Sequence, residues 1–311
     1  MRDAEPLRAV LTPPKVSLRR VEVVVNPLAG GVGPAAAAEV ERILADFEFR
    51  STVRSAIGDD LRPTLQAAID SAPDLLIVLA GDGTARTAAS LCGADGPMLA
   101  PLAGGTLNML PHALYGPRDW SSALRELLSA GQPFEVSGGE VDGRRFHVAA
   151  MLGAPALLAR AREAMRVGQF RLALGHLSHA WRRAFAGRLA FTLDGSEPRK
   201  ARALTLMCPL VSRVAADTDQ ALEVDVMDPK GAAEAFRLGF RTLASPIIGD
   251  WRSDPSVEVA HCRLGEAWSG GRLPAILDGE PMRLHKRVEI RFIPLAFRAL
   301  ALRPPETQEP Q

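Results

Sequence analysis

Hydrophobic positions along the chain change their spacing near residue 132. Before that point, short apolar runs alternate with amphipathic stretches. Val21–Val25 is a β-branched run, a strand by composition, and it leads into Asn26-Pro27 and a glycine loop. Pro34 suits the first position of a helix, which the pattern predicts over Ala35–Phe47. A second strand is predicted over Phe49–Ser55 and a second helix over Asp59–Ser71. The third strand, Asp74–Leu79, is apolar on both faces, as in a sheet covered on both sides. It runs into Ala80-Gly81-Asp82-Gly83-Thr84 and another helix. Pro97–Pro101 is a fourth strand, entering Gly104-Gly105-Thr106 and a short helix, and Trp120–Ala130 is one more helix. Strands alternating with helices of this length predict βαβ units and a parallel sheet.

Beyond residue 132 the pattern is that of strands joined by tight turns. Phe134–Val141 and Arg145–Leu152 flank Asp142-Gly143, and Leu189–Leu193 and Ala201–Cys208 flank Asp194-Gly195. Asp-Gly between strand-like runs is a strong hairpin signal. Further strands are predicted at Leu222–Met227, Val257–Cys262, Pro274–Leu277 and Val288–Ile293, with helical segments at about 155–186 and 231–244. The expected fold class is α/β: an N-terminal parallel α/β domain over 19–132 and a C-terminal, mainly antiparallel β domain over 133–303. Polar or proline-rich tails are expected at 1–18 and 304–311.

Composition narrows the function. The chain has 311 residues, a length that favours two domains over one core. Its 37 Lys+Arg against 36 Asp+Glu leave a net charge of +1, which argues against a nucleic-acid binder. Its longest apolar stretch, Leu75–Ala80, is far too short to span a bilayer, and charges and prolines stand at the N-terminus where a signal peptide has its apolar core. The three scattered cysteines, Cys92, Cys208 and Cys262, read as reduced thiols, so the expected location is cytoplasmic. Lysine occurs only at 15, 200, 230 and 286, so a phosphate clamp here must use backbone N–H groups and arginine.

Three loops carry the candidate chemistry: Asn26-Pro27-Leu28-Ala29-Gly30-Gly31, Ala80-Gly81-Asp82-Gly83-Thr84 and Gly104-Gly105-Thr106-Leu107-Asn108. In a parallel sheet all three lie at the carboxyl edge, where open α/β folds bind ligands. Glycine admits close backbone approach and helix N-termini present free N–H donors, so together the loops describe a polyphosphate cradle. Asp82 would repel phosphate unless Mg²⁺ bridges the two; its alternative role is to cap the helix starting at Thr84. Gly31-Val32-Gly33-Pro34-Ala35-Ala36 matches a dinucleotide fingerprint, but the acidic residue expected at the end of the second strand is missing. The chain has neither a P-loop nor protein-kinase signatures.

Asn26-Pro27-x-Ala29-Gly30, Gly81-Asp82-Gly83-Thr84, Gly105-Thr106-x-Asn108 and Asp278-Gly279-Glu280, in this order, resemble the diacylglycerol kinase/sphingosine kinase catalytic superfamily, in its bacterial lipid-kinase branch. The resemblance covers roughly residues 20–303 and implies a nucleotide-binding α/β domain, a β-sandwich domain whose last segment packs back on the first, and a cleft between them. It implies ATP and Mg²⁺, with phosphates on Gly81–Thr84 and with Asn26, Gly30, Ser55, Gly105, Thr106 and Asn108 nearby. Glu280 would be the general base toward a lipid hydroxyl, with Asp278 a second candidate; the plain alternative for 278–280 is a hairpin turn. A metal site in the sandwich would use the Asp219 carboxylate and the Ala216 and Ala221 carbonyls, against the alternative of a solvated loop.

The chain also departs from the family. Ala80 replaces the usual first glycine, and after Thr84 the family often carries Asn-Glu where Ala85-Arg86 follows here, so that Arg86 faces either a phosphate or solvent. After Gly153 the family often has an aspartate; here Ala154-Pro155 follow, on the acceptor side. Segment 160–188 is arginine-rich with Phe170, Leu174, Leu177, Trp181 and Phe185 on one helical face, which reads either as a peripheral membrane-docking helix or as a helix packed on its own domain. The competing functions are an NAD kinase-like enzyme, a non-catalytic nucleotide-binding regulator and, last, an oxidoreductase. Which lipid accepts the phosphate and what oligomer forms are not encoded in any motif.

Overall fold

The computed structural model describes residues 16–153, 188–212, 220–228 and 257–302. Strands β1 (Arg20–Val25), β2 (Arg50–Ser55), β3 (Leu75–Ala80) and β4 (Met98–Ala103) are parallel, in the order β2-β1-β3-β4. Helices α1 (Ala36–Leu44), α2 (Leu61–Asp70), α3 (Asp82–Cys92), α4 (Met109–Tyr115) and α5 (Trp120–Ala130) connect and cover them. Every residue of β3 is buried, which explains its unbroken apolar run. Val25 stands beside both Ser55 and Leu79, so the loops after β1, β2 and β3 emerge at one edge.

The remaining described strands are β5 (Gln132–Val141), β6 (Arg144–Phe146), β7 (Ala149–Gly153), β8 (Leu189–Leu193), β9 (Arg199–Ala201), β10 (Ala203–Met207), β11 (Leu222–Met227), β12 (Val257–Cys262), β13 (Leu264–Trp268), β14 (Pro274–Leu277), β15 (Glu280–Arg283) and β16 (Arg287–Ala301). They do not form a body separate from the parallel sheet. The long β16 pairs with β4 at Ala299–Leu99, runs antiparallel to β5, and carries the same sheet on to β13, β8 and β9. A second sheet, ordered β12-β11-β10-β7-β14-β15, faces the outer part of the first. Phe146, Phe191, Leu204, Leu206, Val224, Leu277 and Ile290 fill the space between them.

Three Asp-Gly turns organise this sandwich. Asp142-Gly143, Asp194-Gly195 and Asp278-Gly279 have positive φ at both residues (56° and 70°, 46° and 77°, 45° and 84°), the backbone of a type I′ hairpin turn. Each aspartate also accepts hydrogen bonds where another segment crosses between sheets, since N–H groups there leave one ladder before joining the next. Asp278 receives the N–H groups of His147, Val148 and Ala149, between β6 and β7. Asp194 receives those of Arg263 and Leu264 (3.0 and 2.9 Å), between β12 and β13. Asp142 receives that of His285 (3.1 Å), between β15 and β16.

Several predicted boundaries move. The helix predicted over Ala35–Phe47 is Ala36–Leu44, with Pro34 in the preceding turn after Gly33 (φ 85°). The runs 145–152 and 201–208 each divide between the two sheets, at His147-Val148 and at Arg202. The strand expected to end at Ile293 continues to Ala301, because Pro294 sits at a bulge where a missing N–H costs no ladder bond. The helical segments expected at about 155–186 and 231–244, the expected tail 304–311, and all but residues 16–18 of the expected tail 1–18 lie outside the described residues.

Candidate active site

The three glycine loops meet at the carboxyl edge of the parallel sheet. Asn26 shapes the first: its side-chain oxygen accepts from Leu28 N–H (3.0 Å), closing an Asx turn, and its own N–H donates to Leu79 O (2.9 Å). Gly31 N–H then donates to Gly104 O (2.9 Å), joining the first loop to the third. The second and third loops touch backbone to backbone, since a Cβ on Gly105 would lie 2.8 Å from Gly81 Cα. Gly30 faces Thr106, and Ser55 ends β2, exposed, on the same edge. Asn108 occupies the left-handed region (φ 51°), where asparagine is tolerated. Its amide grips Gly105 on both sides, accepting from the N–H at 2.7 Å and donating to the carbonyl at 3.1 Å. The glycines therefore serve inter-loop packing as much as access for an anion.

Helix α3 starts at Asp82, two residues before the expected Thr84, with Gly81 extended ahead of it and no side chain capping its first turn. The first helical bonds run from Thr84 and Ala85 N–H to Gly81 O (3.1 and 3.0 Å), so the N–H groups of Asp82 and Gly83 precede the helical ladder, the arrangement that suits a phosphate. Asp82 does not cap its own helix. Its two oxygens accept from the N–H groups of Met109 (2.6 Å) and Asn108 (2.9 Å), binding the second loop to the start of α4. A carboxylate has about four acceptor positions, so roughly two remain for a metal or its water. The donor set and close-packed glycines fit a magnesium–polyphosphate group, although among the described residues no His/Cys/Asp/Glu cluster forms a metal site by itself.

The β14–β15 hairpin brings Glu280 against this cradle. Its carboxylate fills the space where a Cβ on Gly83 would stand, with Cδ 3.0 Å from that position. Arg86, one turn further along α3, donates to Leu277 O (3.1 Å) and pairs with Glu280. Arg86 thus faces neither a phosphate nor open solvent but the hairpin. Ala80, in place of the usual glycine, ends β3 without a positive φ and needs no glycine.

Residues 20–140 match the profile of the diacylglycerol kinase catalytic domain. Similar solved structures include a diacylglycerol kinase from Bacillus anthracis Sterne, with TM-score 0.68 and 17% identity, covering 92% of this chain and 98% of that one. A second, described as a candidate diacylglycerol kinase from the same organism, gives TM-score 0.69 and 18% identity over the same shares. These likenesses support the fold, including the sandwich beyond residue 140. No curated protein matches the chain in sequence.

The two carboxylates of Asp278-Gly279-Glu280 have different surroundings. Asp278 is only 4% exposed and accepts three backbone N–H bonds, at 2.8 Å from His147, 2.9 Å from Val148 and 3.1 Å from Ala149. Burial nonetheless outweighs those bonds and pushes its carboxyl up to about 6. Its placement suits holding the hairpin rather than meeting a substrate. Glu280 keeps a 42% exposed side chain and can do so. The hairpin-turn reading of 278–280 holds, with Leu277 paired to Glu280 across the turn.

Of the sandwich metal set, Asp219 and Ala216 lie outside the described residues, and Ala221 is buried just before β11. Ala154 and the basic segment 160–187 also lie outside them. Among the described residues no helix is long and apolar enough to cross a membrane.

His147, missed in the sequence, is fully buried beside the hairpin, with its ring edge-on to Phe297 at 5.1 Å. Neither ring nitrogen has a hydrogen-bond partner, and burial pushes the imidazole down to about 3. It is therefore neutral when folded but charges when unfolded below 6.5. Its contribution is present above 6.5 and lost as pH falls toward 3. Between pH 6.5 and 4, His147→Leu should lose about 3 kcal/mol less stability than wild type, measured by urea unfolding. Equal acid losses in both proteins would refute this.

Proposed function

We propose that this chain is an ATP- and Mg²⁺-dependent lipid kinase of the diacylglycerol kinase type, transferring the γ-phosphoryl group of ATP to a lipid hydroxyl. The observation that carries this reading is the Glu280 carboxylate lying against Gly83 in the first turn of the cradle helix. A base there stands beside the place where the loops would hold phosphate.

In the proposed reaction, the N–H groups at the start of α3 and the Gly30, Gly105 and Thr106 loops bind the polyphosphate. Asp82 and the nucleotide would hold Mg²⁺, which supplies charge neutralisation on the phosphate oxygens. Glu280 orients the acceptor hydroxyl and takes its proton as that oxygen bonds to the γ-phosphorus. The bond from the γ-phosphorus to the β-bridging oxygen breaks, and ADP leaves with that electron pair. The sandwich side of the cleft would admit the lipid, and a lipid substrate calls for a peripheral membrane surface, for which 160–188 is the proposed element. The proposed setting is the cytoplasmic face of a membrane.

The test is incubation of the purified protein with γ-labelled ATP, Mg²⁺ and detergent-dispersed diacylglycerol, sphingoid bases, glycolipids and phospholipids. Label is expected in one lipid class and not in NAD. Label in NAD would instead make the chain an NAD kinase-like enzyme. ATP bound with no lipid labelled would favour the non-catalytic regulator, and no ATP bound would remove the cradle on which the proposal stands.

A further inference from the structure

Arg86 is the feature that the proposed reaction leaves unexplained. It stands in the cradle helix, yet its guanidinium is spent on the hairpin of the other sheet. One terminal nitrogen donates to Leu277 O at 3.1 Å and the other pairs with Glu280. Its side chain is 19% exposed and that of Glu280 42%, so the pair is partly open to solvent on the carboxylate side. The hairpin it holds is also anchored from behind by Asp278, which braces His147–Ala149. The positive charge of Arg86 also lowers the titration of Asp278 and His147, as the smallest of the influences on each.

We infer that Arg86 is a positioning residue that ties the Asp278-Gly279-Glu280 hairpin to the cradle helix and neutralises Glu280 beside the phosphate path. The inference rests on the kinase reading above, because it takes the cradle to bind a triphosphate. Two physical arguments support it. First, a bare carboxylate against Gly83 would repel an incoming polyphosphate, and the compact pairing cancels that repulsion. Second, a base must hold its geometry to be useful, and a guanidinium bonded to both a backbone carbonyl and the carboxylate of one hairpin fixes it in two places. Lysine would replace only part of this, since its ammonium is a point charge and not a planar fork. Arg86 also does what scarce lysine cannot do in this chain, whose four lysines all lie outside the three loops.

The test is a double-mutant cycle on ATP binding, measured calorimetrically on the full chain, together with transfer kinetics. Arg86→Gln should weaken ATP binding about tenfold, because Glu280 is left uncompensated. Glu280→Gln alone should bind ATP at least as tightly as wild type. The combined variant should return to within about threefold of wild type, a coupling that a merely structural arginine would not show. In transfer assays, Arg86→Gln should lower kcat about 100-fold and Arg86→Lys should recover part of it. Additive effects on ATP binding, with Arg86→Gln within about threefold of wild-type kcat, would overturn the inference. If wild type binds ATP but labels no lipid, the kinase reading fails while the binding cycle still decides the role of Arg86. If wild type binds no ATP, both fall.

Discussion

Glu280→Gln should lower kcat for phosphoryl transfer by about 10²–10⁴-fold while leaving ATP binding intact, the range expected when a general base is removed. Glutamine matches glutamate in size and keeps the hairpin, in which residue 280 pairs with Leu277. It can still accept from Arg86, so the scaffold survives and the proton acceptor goes. Asp278 offers no substitute: its oxygens are buried and already engaged by three N–H groups. A variant within tenfold of wild-type kcat would remove Glu280 as the base, whatever its effect on KM. A large rise in KM at constant kcat would instead assign Glu280 to binding.

The parallel half of the fold was legible because its signals are local. β3 is apolar on both faces and each glycine loop follows its strand directly, so period and punctuation suffice. In the sandwich, local signals found the turns but not the sheets. Asp142-Gly143 and Asp194-Gly195 marked turns correctly, and the turn alternative for Asp278-Gly279 also holds, yet nothing near Arg202 or His147 announces that the chain changes sheet there. That event depends on an acceptor distant in sequence, such as Asp278 for His147, 131 residues away. The strand runs on past Pro294 for a related reason: proline ends a strand only if its N–H is needed, and the bulge that excuses it forms with β5. At the site, the loops and Glu280 were named from motifs. Two roles within it depended on tertiary contact. Asp82 serves α4 instead of its own helix, and Arg86 serves the hairpin. Neither partner lies within reach of a local pattern.

Asp278 is where the second large effect is expected, on stability. Asp278→Ala removes the acceptor for three N–H groups at the β6–β7 crossing, and an unsatisfied buried N–H costs about 1–3 kcal/mol. It also puts alanine at φ 45°, a conformation that costs a non-glycine residue roughly 1 kcal/mol. Against this stands the relief of a buried charge. The folded carboxyl titrates at about 6 against an ordinary 3.8, so its favourable contribution is complete below 3.8 and lost as pH rises through 6. That shift corresponds to roughly 3 kcal/mol lost by wild type between pH 4 and 7. The net cost of Asp278→Ala should therefore be about 3 kcal/mol at pH 7 and larger at pH 4.5, read from urea unfolding at both values. Asp278→Asn tolerates the left-handed turn and keeps one acceptor oxygen, so it should cost roughly half as much at pH 7. A cost under about 1 kcal/mol for alanine, or one that shrinks on acidification, would mean the crossing is not held by this carboxylate. Because the same hairpin presents Glu280 to Gly83, the destabilised variants should also lose transfer activity before they unfold.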